Sequence, residues 1–159
     1  MVWVWCNFSS ADETNQFAAA ANAKPVNLAA EIARAKAENK LLLLEFGSSD
    51  VCPPCIRFEE KVFSTPEFKA YEKSNLVFVR IDFPFKTEQT PAIRATNAII
   101  SKQFDQYFYP TFIALDGEGK DFWQMPEKGN LDPKWPVDIF TPKKFIAMLE
   151  SLKAAAHAR

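Results

Sequence analysis

The sequence predicts an α/β fold, a mixed central sheet flanked by helices on both faces. Three observations carry this. An apolar run at residues 41–46 leads through a short turn into Cys52-Pro53-Pro54-Cys55 and then into a stretch with helical spacing. Runs rich in β-formers alternate with capped helical segments, in the order β, α, β, α, short α, β, α, β, β, α. The last two strands are joined by the turn Asp116-Gly117-Glu118-Gly119-Lys120, in which glycine supplies positive φ. Parallel strands need crossover helices, whereas a tight turn makes an antiparallel pair, so the two together give a mixed sheet.

The elements follow from local signals. Residues 2–8 suit a short edge strand or an ordered tail, in which Cys6 is a small hydrophobe, and residues 9–23 read as a connection. Asn27 is suited to cap a helix over residues 28–39, with Leu28, Ile32 and Ala35 on one face. Four consecutive leucines at 41–44 suggest a strand buried on both faces. The helix after the cysteines runs over residues 52–63, with Cys55, Phe58 and Val62 on one face and Ile56 and Phe63 beside it. Thr65-Pro66 starts an extra short helix ending near Ser74, since threonine caps and proline suits the first helical position. Residues 76–82 form the next strand. Thr90-Pro91 opens a longer helix with a thin stripe of Ile93, Ile100 and Phe104, Thr96 filling its gap. Strands at 112–115 and 121–125 flank the glycine turn, and an inserted loop at 126–138 holds three prolines and Trp135. Thr141-Pro142 opens the last helix, with Phe145, Met148, Leu149 and Leu152 inward. The expected organisation is an extension at 1–26, one domain at 27–155 and a frayed tail at 156–159, with the only histidine, His157, in that tail.

Composition narrows the function. The chain has 159 residues, 48% hydrophobic, and its 15 phenylalanines are incompatible with a disordered chain. A net charge of −1 without a basic block gives no support to nucleic-acid binding. No apolar run approaches the roughly 20 residues of a membrane helix. Three cysteines leave one over after the pair, which argues against a structural disulfide framework. The apolar start is too short for a signal peptide and lacks a basic segment, which leaves open a cytoplasmic protein or a mature exported one.

Two cysteines spaced by two residues at a strand-to-helix junction point to redox chemistry. The first turn of a helix has unpaired N–H groups and the positive dipole end, so a thiolate there is stabilised and its pKa falls below roughly 8.5. Cys52 is read as the attacking thiol and Cys55 as the resolving thiol. Pro53 and Pro54 lack N–H groups and remove two donors from the neighbourhood of Cys52, leaving the Cys55 N–H. The thiolate is then less stabilised, which implies a moderately reducing pair rather than a strong oxidant.

Leu44-Glu45-Phe46 before the two cysteines, Tyr109-Pro110-Thr111 opening a strand 55 residues after Cys55, and the glycine hairpin next together resemble the thioredoxin superfamily, across roughly residues 28–152. The phrase Lys61-Val62-Phe63-Ser64-Thr65-Pro66-Glu67-Phe68 is similar to a bacterial subgroup, often exported, that includes the C-terminal domain of DsbD-type thiol:disulfide interchange proteins. The resemblance implies a thioredoxin-like fold and a cis peptide before Pro110, with the backbone of Tyr109 presented to an extended substrate like an added strand. It also implies a carboxyl group near Cys55. Relatives place it six residues before the first cysteine, where this chain has Phe46. Glu45 is seven before, so one extra loop residue would bring it into place as proton acceptor for Cys55; alternatively it lies at a strand edge or pairs with a lysine. Where most relatives carry tryptophan before the first cysteine, this chain has Val51, which leaves Cys52 less shielded and alters the docking surface.

The expected function is that of a thiol–disulfide oxidoreductase, a reductase or electron carrier of periplasmic or otherwise exported location, needing no cofactor. Its partners would be protein or peptide disulfides and a dithiol electron donor. The alternatives are a soft-metal module, with copper(I) held by Cys52 and Cys55, and a non-catalytic interaction domain using the 126–138 loop. A structural zinc site needs four ligands, and Cys6 and His157 show no ligand spacing.

Overall fold

The structure is a computed structural model that describes residues 24–126 and 137–158. The strand expected at residues 2–8 and most of the inserted loop lie outside these residues. Four strands form one sheet in the order β2-β1-β3-β4. Strand β1 (Leu41–Gly47) pairs parallel with β2 (Leu76–Asp82) and antiparallel with β3 (Thr111–Leu115), which pairs antiparallel with β4 (Asp121–Met125).

The leucine run is explained by the two cores it serves. Alternate residues of a strand point to opposite faces. Leu41 and Leu43 pack on one side with Phe58, Val62, Phe63, Phe68, Phe112 and Phe145. Leu42, Leu44 and Phe46 pack on the other with Ala35, Val77, Val79, Ile81 and Ile100. Glu45 shares the parity of Leu41 and Leu43, so it faces the first core, the side on which the cysteine-bearing helix lies.

Helix α1 (Leu28–Glu38) is capped as its sequence predicts: Ala30 N–H donates to Asn27 Oδ1 at 3.1 Å, and Asn39, at φ 52°, closes it. Ile32 from this helix meets the β3–β4 turn at Gly119. There φ is +79°, which favours glycine, and a side chain would come within 2.7 Å of Ile32 Cδ1 and push that methyl group aside.

Helix α2 (Pro53–Phe58) does not continue as α-helix to residue 63. It passes into a π turn (Glu59–Phe63), in which Ser64 N–H donates to Glu59 O at 2.9 Å. The widened turn lets the consecutive residues Val62 and Phe63 both enter the core. Phe58 anchors α2 at the centre of an aromatic cluster, its ring centroid 4.6 Å from Phe140, 5.0 Å from Phe112 and 5.5 Å from Phe145.

The Thr-Pro starts hold at α3 (Pro66–Asn75) and α4 (Pro91–Gln103), where Thr65 and Thr90 Oγ1 each accept an N–H at 3.3 Å. The gap in the α4 stripe is filled by Asn97 rather than Thr96. Asn97 is buried because its side-chain amide donates to Asp82 O at 2.8 Å, while Thr96 is half-buried. A 3-10 turn (Val137–Phe140) leads into α5 (Pro142–His157), so residues 156–157 of the tail expected to fray are helical. Phe145, Leu149 and Leu152 are buried as expected, and Met148 is half-buried.

Candidate active site at the ends of three strands

The register brings three segments to one end of the sheet. Gly47 ends β1 opposite Asp82, which ends β2, and Phe46 pairs with Thr111, which begins β3. The turn to the cysteines, the loop after β2 and the segment before β3 therefore meet there.

Cys52 and Cys55 form a disulfide, with Cα atoms 5.2 Å apart. Cys52 caps α2: its backbone is extended, its O accepts from Ile56 N at 3.0 Å, and its Sγ accepts from Cys55 N at 3.3 Å. Pro53 and Pro54 occupy the first two helical positions and offer no N–H, so Cys55 N–H is the first backbone donor of this helix. Both sulfur-bearing residues are nearly covered, Cys52 at 8% and Cys55 at 4% exposure. Val51 is 43% exposed, yet its small side chain does not leave Cys52 open.

Glu45 lies beneath Cys55. A side chain at Gly47 would sit 3.5 Å from Glu45 Oε1 and 3.6 Å from Cys55 Sγ, so the absence of one leaves the carboxyl and the sulfur facing the same space. That space is a cavity of about 10 Å³, room for about one water molecule, bordered also by Ser48, Arg80 and Asp82. Glu45 is thus neither at a strand edge nor paired with a lysine. Its partner is Arg80, its neighbour in the β1–β2 register: Arg80 Nε–H donates to Glu45 Oε2 at 2.5 Å, and Nη1–H donates to Glu59 Oε2 at 2.7 Å. The guanidinium lies over the rings of Phe63 at 4.8 Å and Phe78 at 5.2 Å. Burial pushes the Glu45 carboxyl above its ordinary range, and Arg80 offsets part of that rise.

The Tyr109–Pro110 peptide is cis. Pro110 is buried, and Tyr109, 37% exposed, stacks on Phe83 at 5.3 Å between centroids and 19° between planes. Arg57 is exposed and lies 5.0 Å over Phe140. The structure therefore gathers Cys52, Cys55 and Glu45 into one centre and sets Val51, Tyr109 and Pro110 at the same sheet end. Sequence reasoning missed Arg80, Glu59, Gly47 and Asp50, whose carboxylate accepts backbone N–H groups from residues 85–87. The signal for Arg80 was a cation inside a β-rich run. Its partner becomes evident only with the parallel register.

Among the described residues, no group of three or more His, Cys, Asp or Glu is placed to hold a metal ion, and no helix is long and apolar enough to cross a membrane. A larger cavity of about 650 Å³ lies on the outer side of Arg80, between α1, the π turn and β2, away from the disulfide.

Comparison with known proteins agrees with this architecture. A family model described as thioredoxin-like matches residues 19–117. The chain is 31% identical over 107 residues to the disulfide bond reductase DsbH of Chlamydia pneumoniae, covering 67% of this chain and 64% of that protein. It is 27% identical over 89 residues to the thioredoxin-related protein DsbJ of the same organism, covering 56% of this chain but 26% of that one. It therefore spans less than two thirds of either relative. A solved DsbH oxidoreductase superposes with a TM-score of 0.63 at 26% identity, covering 86% of this chain and 85% of that one. A thioredoxin from Thermus thermophilus, at TM-score 0.54 and 16% identity, shares the fold over 82% of this chain and 86% of its own. Sequence and architecture converge, and the chain belongs to the thioredoxin-like family.

Proposed function

We propose that the chain is a thiol–disulfide oxidoreductase acting as a reductase or electron carrier on protein or peptide disulfides. The observation that carries this is the placement of Cys55 Sγ and Glu45 Oε1 around one small cavity, under a disulfide whose other half caps a helix.

In the reduced form, the Cys52 thiolate attacks one sulfur of a substrate disulfide. That bond breaks, a mixed disulfide forms, and the other substrate sulfur leaves as a thiolate that takes a proton from solvent. Cys55 then gives its proton to Glu45, and its sulfur attacks Cys52 Sγ. The Cys52–Cys55 disulfide closes and the second substrate thiolate departs, so two electrons have passed to the substrate. A carboxyl group with a raised pKa lies closer to a thiol's, which makes the proton transfer less uphill. Arg80 keeps the ionised, proton-accepting form accessible. A dithiol donor recharges the pair. The resemblance to exported relatives extends the reading to an exported location, testable by fractionation of the native cell.

The test is trapping. Cys55→Ser should accumulate a mixed disulfide between Cys52 and substrate, and Cys52→Ser should not. The native pair should show one two-electron transition against a glutathione series. Absence of both the trapped species and the transition overturns the reading.

A further inference from the structure

The turn before Cys52 and the loop after β2 hold each other by a reciprocal pair of carboxylates. Asp82, ending β2, accepts Ser49 N–H and Ser49 Oγ–H, each at 2.8 Å. Asp50, two residues before Cys52, accepts three successive backbone N–H groups from the opposite loop: Phe85 at 2.9 Å, Lys86 at 2.7 Å and Thr87 at 3.0 Å. Consecutive N–H groups converging in this way make an anion nest, here filled by the chain's own side chain. Those hydrogen bonds hold the Asp50 carboxyl below its ordinary range, against the opposing effect of burial.

The loop carries two phenylalanines, of which Phe83 is half-buried against the core while the other is left outside. Phe85 is 85% exposed. Six large hydrophobic residues are exposed among the described residues, and five of them, Val51, Phe85, Tyr107, Phe108 and Tyr109, belong to the three segments that meet at the disulfide. Scattered exposure would need no explanation, whereas clustering around a reactive centre does. Phe83, two residues before Phe85, stacks on Tyr109, so the loop bridges the turn before Cys52 and the segment before Pro110.

We propose that residues 83–87 form a docking loop for polypeptide disulfides, with Phe85 receiving an aromatic or aliphatic side chain adjacent to the substrate cysteine and Asp50 as the positioning residue that fixes the loop beside Cys52. The occupant is an extended, apolar segment of the substrate polypeptide, because five exposed apolar side chains lie on the three segments that meet at the sheet end holding the disulfide, which must reach the substrate's sulfur. This inference rests on the oxidoreductase reading and adds a substrate preference to it.

The experiment uses the reduced full chain and two peptides, each closed by one disulfide, that differ only in phenylalanine or serine next to a cysteine. The wild-type chain should reduce the phenylalanine peptide with a kcat/KM about tenfold higher, the effect of one well-placed interface anchor. Phe85→Ser, on a side chain that supports no core, should bring the ratio to within about twofold of unity, and Phe85→Trp should preserve it. Asp50→Ala should collapse the ratio in the same way and add nothing in the Phe85→Ser background, since it acts through Phe85. A wild-type ratio near one, or a ratio that survives Phe85→Ser, overturns the docking loop while leaving the oxidoreductase reading intact. Asp50→Ala slowing both peptides equally with the preference kept removes the positioning role. No reduction of either peptide by the wild-type chain overturns the underlying activity and the docking loop with it.

Discussion

Arg80 holds Glu45 by one oxygen and leaves the other to Cys55: Nε is 2.5 Å from Oε2, while Oε1 borders the cavity beside the sulfur. The carboxyl is thus fixed in direction without being used up. Glu45→Gln keeps the shape and removes the carboxylate proposed as the proton acceptor. Resolution of the mixed disulfide should slow by about a hundredfold at neutral pH, the lower end for a positioned acid–base group. Rapid quenching and alkylation of the mixed disulfide would measure it. In the wild type, resolution should also fall in acid with a midpoint above the ordinary carboxyl value of 4.5, because burial raises the Glu45 pKa, and this limb should vanish in Glu45→Gln. An unchanged resolution rate removes Glu45 from the reaction.

Arg80→Met should destabilise the fold by about 3–5 kcal/mol at neutral pH, as expected when one partner of a buried ion pair is removed. The sign of its pH dependence follows from the direction of the Glu45 shift. The folded state binds this proton more tightly than the unfolded state does. The stability it confers is fully present below pH 4.5 and is lost as pH rises through the raised folded value. Without Arg80 that folded value rises further, so the deficit relative to wild type should shrink in acid and grow toward neutrality. Denaturant titrations at pH 4 and pH 7 would check it, and an equal deficit at both would mean that Glu45 does not titrate in this range.

Helix starts were legible because Asn27, Thr65 and Thr90 act locally, each through a side chain reaching an N–H three residues on. Strands 76–82 and 121–125 have the limits expected from their β-formers and flanking breakers. What was not legible depends on partners distant in sequence. The π turn is settled by a core that takes both Val62 and Phe63. Asn97 is buried by a backbone carbonyl 15 residues away. Glu45 was visible as a candidate, but its place beside Cys55 needed the longer turn, and its arginine needed the register. Asp50 lies in the turn before Cys52, but its carboxylate is occupied by residues 85–87, which become neighbours only when β2 lies beside β1.

The double proline makes a prediction about potential. Pro54→Ala restores an N–H in the first turn of α2, near the sulfur that already accepts from Cys55 N at 3.3 Å. A hydrogen bond to a charged group contributes about 1.5–3 kcal/mol. Directed at the Cys52 thiolate, it stabilises the reduced form and should shift the pair toward oxidising values by about 30–60 mV. Equilibration with glutathione would measure the shift, and the Cys52 pKa should fall in step. A potential that stays put while the pKa falls would break the proposed link between the prolines and reducing strength.

Phe58 separates stability from redox chemistry. Three residues after Cys55, it is fully buried and packs against Phe63, Phe112, Phe140 and Phe145, so it ties the cysteine-bearing helix to the sheet and to α5. Phe58→Ala should cost about 3–5 kcal/mol of folding free energy, the range for deleting a buried aromatic ring. The ring packs on the face of the helix turned to the core, so its loss should weaken the oxidised and reduced forms alike. A potential depends on the difference between those forms, and it should move far less than the midpoint of unfolding does. Parallel unfolding of the oxidised and reduced variant would decide the matter. Two unequal losses would mean that the aromatic core favours one redox state, and that the packing behind Cys55 belongs to the chemistry as well as to the fold.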